Sequence, residues 1–329
     1  MRLLLIAVAL LRAVLIFRYR FDSDEPQHMH VAWGWAHGLV QYRDVFDNHM
    51  PLFHLLSAPI FAWTGDDVRV LFVARFAVLP LFFLSLQLTH GIAANLYDES
   101  VAFWTVLLLA ACPPFFLGTL EYRTDDLWVV LWLGALAIFL GDRSPLWKGA
   151  AGGFVIGLAF AVSMKSTLFV ISLAVATLLT FLLTRSRAGI RTAGDTAKFA
   201  LAACASASIV PGAIYIGFAM AGAGNYFQYG VFEHNRFPFE HSWRVLWFLP
   251  LYFIVRPIAL RMARADTHIP VVRRRLFLFL TCAAYFTVLS SFWPMLSLES
   301  YLPFYPLLMI LTTPIVLAWA AFARGRGWR

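Results

Sequence analysis

The chain has 329 residues, of which 61% are hydrophobic and 13% charged. A soluble domain runs roughly 45–50% apolar and about 25% charged, and the mean hydropathy here is +0.73. That balance excludes a cytosolic enzyme, a disordered chain and a small disulfide scaffold. The formal net charge is +8, which in a membrane protein reads as cytoplasmic loops rich in Lys and Arg rather than as a nucleic-acid surface. Cys112, Cys204 and Cys282 each sit in an apolar run and form no CxxC or zinc pattern.

Apolar runs fall near 2–17, 70–90, 101–118, 127–141, 149–164, 167–184, 199–221, 244–262, 276–292 and 302–322, giving ten candidate spans. A span needs about 20 mostly apolar residues, and lipid offers the backbone no hydrogen-bond partner, so each must be helical. The reading predicts an all-α polytopic membrane protein, one transmembrane domain over 1–329 with no separate soluble domain. The first run, MRLLLIAVALLRAVLIF, has the basic start and short apolar core of a leader. Arg12 interrupts it, RYR follows and no A-x-A-like cleavage site is present, so it is taken as a retained span. The long outer loop, about 18–69, holds VAWGWAHGLV and the 13-residue apolar PLFHLLSAPIFAW, which read as interfacial or re-entrant helices. Trp33, Trp35 and Trp63 suit the headgroup level. Basic stretches around 185–198 and 256–275 read as cytoplasmic loops, with contacts to anionic membrane lipid.

With the N-terminus in the cytoplasm and sides alternating, 16 of the 26 Lys and Arg fall on cytoplasmic segments, as the positive-inside rule requires. The acids show the reverse, with 13 of 18 on or near the outer face, as are seven of nine histidines. Acids contribute little to topology. Groups that titrate or bind metal gather where chemistry happens, so the outer face is the candidate active side.

Five features lie there. Asp22-Ser-Asp24-Glu25-Pro26 puts three carboxylates at the membrane surface after the first span; it reads either as helix N-capping or as a general base beside an apolar interface. Glu121-Tyr-Arg123-Thr-Asp125-Asp126 joins two apolar runs by a connection too short to leave the interface, where charges are paired or functional. Lys165 stands where two runs meet, as a snorkelling lysine or a cation for a lipid phosphate. Asp47-Asn-His49-Met-Pro51 and Glu233-His234-Asn-Arg236 are polar loops or sources of metal ligands. Together they suit an anionic, lipid-linked substrate.

The order of these motifs resembles the GT-C glycosyltransferases, in the bacterial branch related to protein O-mannosyltransferases and lipid A aminoarabinose transferases. The Asp-Glu pair, the D-x-H-x-P-L-like segment, the R-x-D turn, the lysine turn, YFQYGVFEHNRF and the late WPMLSLESYLPFYPLL carry it across most of 20–310. This chain has His49-Met50-Pro51 where relatives have Lys-Pro-Pro or His-Pro-Pro, and it lacks their large soluble outer domain.

The resemblance implies an inverting transferase in the cell inner (cytoplasmic) membrane, its site facing the periplasm or exterior. Its donor would be a polyprenyl-phosphate-linked sugar and its acceptor a glycan, lipid or protein, with no nucleic acid involved. It implies Asp24, Glu25 and Asp125 as catalytic acids. Arg123, Asp126, His49, Lys165, Arg236 and Tyr301 become substrate contacts, and Asp47, Glu233 and His234 become ligands should a divalent metal be used. Two other readings stay open. A transporter or flippase of lipid-linked sugars predicts internal repeats and midplane charges, neither of which the sequence shows, and a non-catalytic scaffold would bind lipid-linked sugar without turnover.

Overall fold

The computed structural model of the protein describes residues 2–235, 243–244, 246, 249–265, 269–293 and 296–325. Among them the chain is a bundle of helices with no strand: α1 Arg2–Arg18, α2 Asp24–Ala36, α3 Leu52–Thr64, α4 Val70–Leu96, α5 Glu99–Ala110, α6 Pro113–Gly118, α7 Thr124–Leu140, α8 Pro145–Val162, α9 Ser166–Ala207, α10 Ile209–Met220, α11 Gly224–Phe227, α12 Leu249–Arg264, α13 Pro270–Phe292 and α14 Phe304–Ala323. A single π-helical turn, Gln228–Glu233, and a 3₁₀ turn, Glu299–Tyr301, complete it.

Six stretches are long and apolar enough to cross a membrane: Val70–Leu96, Pro145–Val162, Ser166–Thr184, Gly194–Met220, Pro270–Phe292 and Phe304–Ala323. The other four expected spans are also helical but shorter. The run at 101–118 is broken into α5 and α6 because Pro113 and Pro114 follow Cys112, and a proline ring denies the preceding turn its hydrogen bond. The basic stretch at 185–198, expected as a cytoplasmic loop, has helical backbone within α9 and joins the spans Ser166–Thr184 and Gly194–Met220. The two interfacial elements of the outer loop are α2 and α3, each 13 residues.

Helix α7 is the centre. Trp128 and Trp132 are fully buried and stack on Phe169 of α9 with ring centroids 4.4 and 4.0 Å away. Tyr285 of α13 extends this aromatic wall, 5.3 Å from Phe169. Beside it, α8 presents Gly149, Gly153 and Gly157 to the second half of α9. A Cβ on them would come within 2.4 Å of Phe199 O, 2.3 Å of Ser206 Oγ and 2.7 Å of Ala207 O. Small residues at this spacing let two helix backbones approach closely, which is how helices associate where lipid supplies no hydrophobic drive.

Two arginines inside apolar helices are buried and hydrogen-bonded. Arg12 of α1 lies 3.9 Å over the Phe82 ring and donates to Phe116 O at 2.7 Å and to the carbonyl of Thr119. Arg75 of α4 lies 3.8 Å over Phe21 and donates to Ile16 O, Tyr19 O and Arg20 O. These are the last carbonyls of α1 and the residues just after it, which helix geometry leaves without partners. Arg75 therefore fixes where the chain leaves α1 and turns into the outer loop.

Candidate active site

The first site element is the entry to α2. Asp22 Oδ1 accepts the Asp24 N–H at 3.1 Å, and Glu25 Oε1 accepts the Asp22 N–H at 3.0 Å, a reciprocal turn that begins the helix. The adjacent acids then part. Glu25, expected beside Asp24 as a catalytic acid, has no exposed surface. Its Oε2 accepts Arg75 Nε at 2.8 Å and the Tyr122 N–H at 2.9 Å, and its Oε1 accepts Arg75 Nη2 at 2.5 Å. A carboxylate so walled in reaches no substrate; Glu25 ties α1, α4 and the turn before α7 together and thereby positions Asp24. The Asp24 side chain remains 41% exposed.

The second element is the extended strand-like stretch 121–123, which delivers Arg123 to Asp24 before α7 begins. Arg123 Nη2 lies 2.7 Å from Asp24 Oδ2 and Nη1 lies 3.0 Å from Asp22 Oδ1. Arg123 Nε is 3.5 Å from Asp125 Oδ2 and Nη1 is 3.7 Å from Glu121 Oε2. Asp125 sits in the first turn of α7, where the helix dipole favours an anion, and Lys165 Nζ at the start of α9 donates to its Oδ1 at 2.8 Å. Lys165 also stands 5.6 Å over the Trp128 ring, so the aromatic wall of α7 forms the floor here.

Thus Asp24, Arg123, Asp125 and Lys165, from three distant parts of the sequence, form one ion-pair cluster at one end of the bundle. Asp22, Glu121 and Glu299 add negative field. Glu121 is nearly fully buried and its Oε2 accepts no hydrogen bond. Burial pushes its carboxyl up to about 7, against the lowering pull of Arg123, with Asp22, Glu25 and Glu299 adding to the rise. Asp126, expected as a substrate contact, is buried in the field of Arg12, with neither oxygen hydrogen-bonded, so it faces protein rather than ligand.

Beside this cluster lies a second network centred on Asp47. Gln41 Nε2 donates to its Oδ2 at 2.9 Å, and Oδ1 accepts from Gln27 Nε2 at 3.3 Å, the Asn48 N–H at 2.9 Å and His49 Nδ1 at 2.9 Å. His54 Nδ1 lies 3.5 Å from Oδ2, and its Nε2 is 3.0 Å from His28 Nδ1. Burial favours protonation of Asp47, but the hydrogen bond and charge of His49 and the charge of His54 prevail and hold it below the usual carboxylate range. Burial holds the His54 imidazole down to about 4 despite Asp47, and burial with the charges of His49, His54, Arg123 and Lys165 holds His28 well below its usual range. Both rings are therefore neutral at pH 7, and their 3.0 Å contact needs one of His54 Nε2 and His28 Nδ1 to donate and the other to accept.

The expected metal set of Asp47, Glu233 and His234 is not assembled. The Asp47 oxygens are already occupied, the Glu233 side chain is exposed, and the His234 ring packs on Phe46 at 5.3 Å. Among the described residues no group of three or more His, Cys, Asp or Glu is arranged to hold a metal ion. Arg236 lies outside the described residues. Tyr301 hydrogen-bonds Ser290 Oγ at 3.0 Å, in the same turn as Glu299, whose charge reaches Arg123. Reading the sequence missed Arg75, His28, His54, Glu121 as a site group, and Glu299. A histidine within the apolar PLFHLLSAPIFAW was the signal for His54.

Two solved structures share this architecture. The crystal structure of ArnT from Cupriavidus metallidurans bound to undecaprenyl phosphate matches with a TM-score of 0.67 at 16% identity, covering 98% of this chain and 63% of that one. The chain shares the fold of that protein. The apo form of the same transferase matches with a TM-score of 0.62 at 17% identity, over 98% and 61% of the respective chains. The chain thus spans less than two thirds of the length of these neighbours. No family model matches it, and no curated protein matches it by sequence.

Proposed function

We propose that the protein is a glycosyltransferase that moves a sugar from a polyprenyl-phosphate carrier to a hydroxyl of a glycan, lipid or protein on the extracytoplasmic face of the cell membrane, with inversion. The observation that carries this is the half-exposed Asp24 held at 2.7 Å by Arg123, next to the buried Asp125–Lys165 pair, in a fold shared with a transferase solved with undecaprenyl phosphate.

In this reading the donor lies along the helices with its phosphate at the mouth of the cluster. The acceptor oxygen attacks the anomeric carbon as the carbon–oxygen bond to phosphate breaks. The hydroxyl proton passes to Asp24, and the bonding electrons leave with the polyprenyl phosphate. Arg123 orients the Asp24 carboxylate so that one oxygen faces the acceptor. Lys165, 15% exposed and fixed by Asp125, turns its remaining N–H groups to the leaving phosphate, where stabilising developing charge lowers the barrier. Attack on one face and departure from the other invert the centre.

The test is turnover of the reconstituted protein with a panel of polyprenyl-phosphate sugars, measured as release of free polyprenyl phosphate. Removing a general base costs about 10²–10⁴-fold, so Asp24→Asn should lose that much transfer while eluting as a folded protein. Near-normal release by this variant sinks the assignment. Silence of the wild type with every donor, with and without added divalent metal, favours a carrier of lipid-linked sugars instead.

A further inference from the structure

At the other end of α7 from the carboxylate cluster lies a cavity of about 370 Å³, walled by the ends of α7, α8 and α13 and by both halves of α9. Asp125 stands in the first turn of α7 and Leu140, its last residue, lines the cavity. Seventeen residues of helix rise about 25 Å, so the two sites are separated by nearly a bilayer core.

The lining is two-sided. Phe139, Phe181, Phe199 and Phe277 give an aromatic side, and all four are only partly buried. The opposing charges are Lys148, Arg273 and Arg274, with Asp195 as the acid on the wall. Arg274 is already paired, donating to Asp142 and to Asn95 Oδ1. Neither of the other two cations makes an ion pair among the described residues, although Asp142 acts on Lys148 from farther off. Lys148 Nζ donates weakly to Gly141 O at 3.4 Å, and among the described residues Arg273 makes no ion pair. Two half-buried cations that face one cavity repel each other unless an anion lies between them. The surrounding surface has the composition of a lipid headgroup level: Leu146 is 60% and Trp147 48% exposed, and Trp at this position marks a membrane–water boundary.

We infer that this cavity is a binding site for an anionic phospholipid of the leaflet opposite the proposed reaction site, its phosphate between Lys148 and Arg273 and the upper part of an acyl chain against the four phenylalanines. A free phosphate would gain nothing from the aromatic side, and a zwitterionic lipid would set its own cation against Lys148. The site is built where α8, α13 and both halves of α9 meet, so the bound lipid bridges these elements. This inference is independent of the transferase reading.

The experiment is native mass spectrometry of the full chain in detergent with added phosphatidylglycerol or phosphatidylcholine, counting retained lipid. Two cations on one phosphate give the anionic lipid a preference of roughly ten- to thirty-fold. Lys148→Gln with Arg273→Gln abolishes that preference, while Arg69→Gln, an exposed residue beside α4, leaves it unchanged. Arg273→Gln alone, a half-exposed substitution that leaves the helix packing intact, lowers it by several-fold and serves where the double variant does not fold. Equal retention of the two lipids by the wild type overturns the inference. So does a preference that survives the double variant, or full displacement of the lipid by millimolar inorganic phosphate, which would mark a site for a soluble anion.

Discussion

The carboxylate cluster and the Asp47 network lie side by side and draw on the same residue types, yet they are built oppositely. Around Arg123 and Lys165 stand Asp22, Asp24, Glu121 and Asp125, four acids to two cations, with one acid half exposed and another, Glu121, lacking any hydrogen bond to its Oε2. Around Asp47 a single carboxylate accepts from Gln27, Gln41, Asn48 and His49 and faces His54. The first arrangement is incomplete until a proton or ligand arrives. The second leaves no oxygen of its carboxylate free, although Asn48 Oδ1 and His54 Nδ1 stay without a hydrogen bond. A buried carboxylate whose oxygens all accept hydrogen bonds is held rigidly, and one left partly satisfied is where a ligand can still bond. Burial and satisfaction, not the identity of the side chains, separate the group that reacts from the group that positions.

The comparison is broken most heavily at Asp47. Asp47→Leu removes the acceptor shared by four donors, of which Gln41 is buried and Asn48 and His49 partly so; a buried donor left unpaired costs about 1–3 kcal/mol, which should appear as a fall in the melting temperature in detergent. Asp24→Asn, by contrast, alters a side chain that is 41% exposed, and partly exposed ion pairs contribute roughly 0–1 kcal/mol. A fall at Asp24 as large as that at Asp47 would erase the distinction between the two regions.

Titration sharpens it further, because the two regions respond to acid with opposite sign. Glu121 is raised in the folded state to about 7. Its contribution is therefore fully present below its unfolded value, 4.5, and is lost as the pH rises through 7. Glu121→Gln should raise stability at pH 8 by at most roughly 3 kcal/mol and change little at pH 4.5, in thermal melts at the two pH values. His54 is lowered to about 4 from 6.5. Its contribution is present above 6.5 and is lost as the pH falls through 4, so His54→Gln should flatten the acid limb of the stability curve while leaving pH 8 nearly unchanged. An acid limb that is identical in the variant would remove His54 from the network.

Much of this was legible in the chain. The apolar runs gave the helices, and sorting charges by side put residues 22–25, 121–126 and 165 on one face. What sequence order cannot express is which of two neighbouring acids turns inward. Glu25 is buried and Asp24 is not because Arg75, fifty positions on, reaches the first and not the second. Arg12 and Arg75 each look like a blemish in an apolar run until the carbonyls they serve are placed beside them. The break at Pro113 comes from local chemistry, because a proline cannot continue the preceding helix, whereas the basic residues at 185–198 bias which side of the membrane the segment takes without setting its backbone conformation. His28 and His54 lie on separate interfacial helices, and only the packing of α2 on α3 makes them partners.

The length of α7 has one more consequence. Its 17 residues rise about 25 Å, short of the roughly 30 Å hydrocarbon thickness. Its neighbours α4, with 27 residues, and α13, with 23, rise about 40 and 35 Å. In the proposed reading, bilayer thickness becomes a variable that sets how well the level of the charged first turn of α7 matches that of a lipid phosphate.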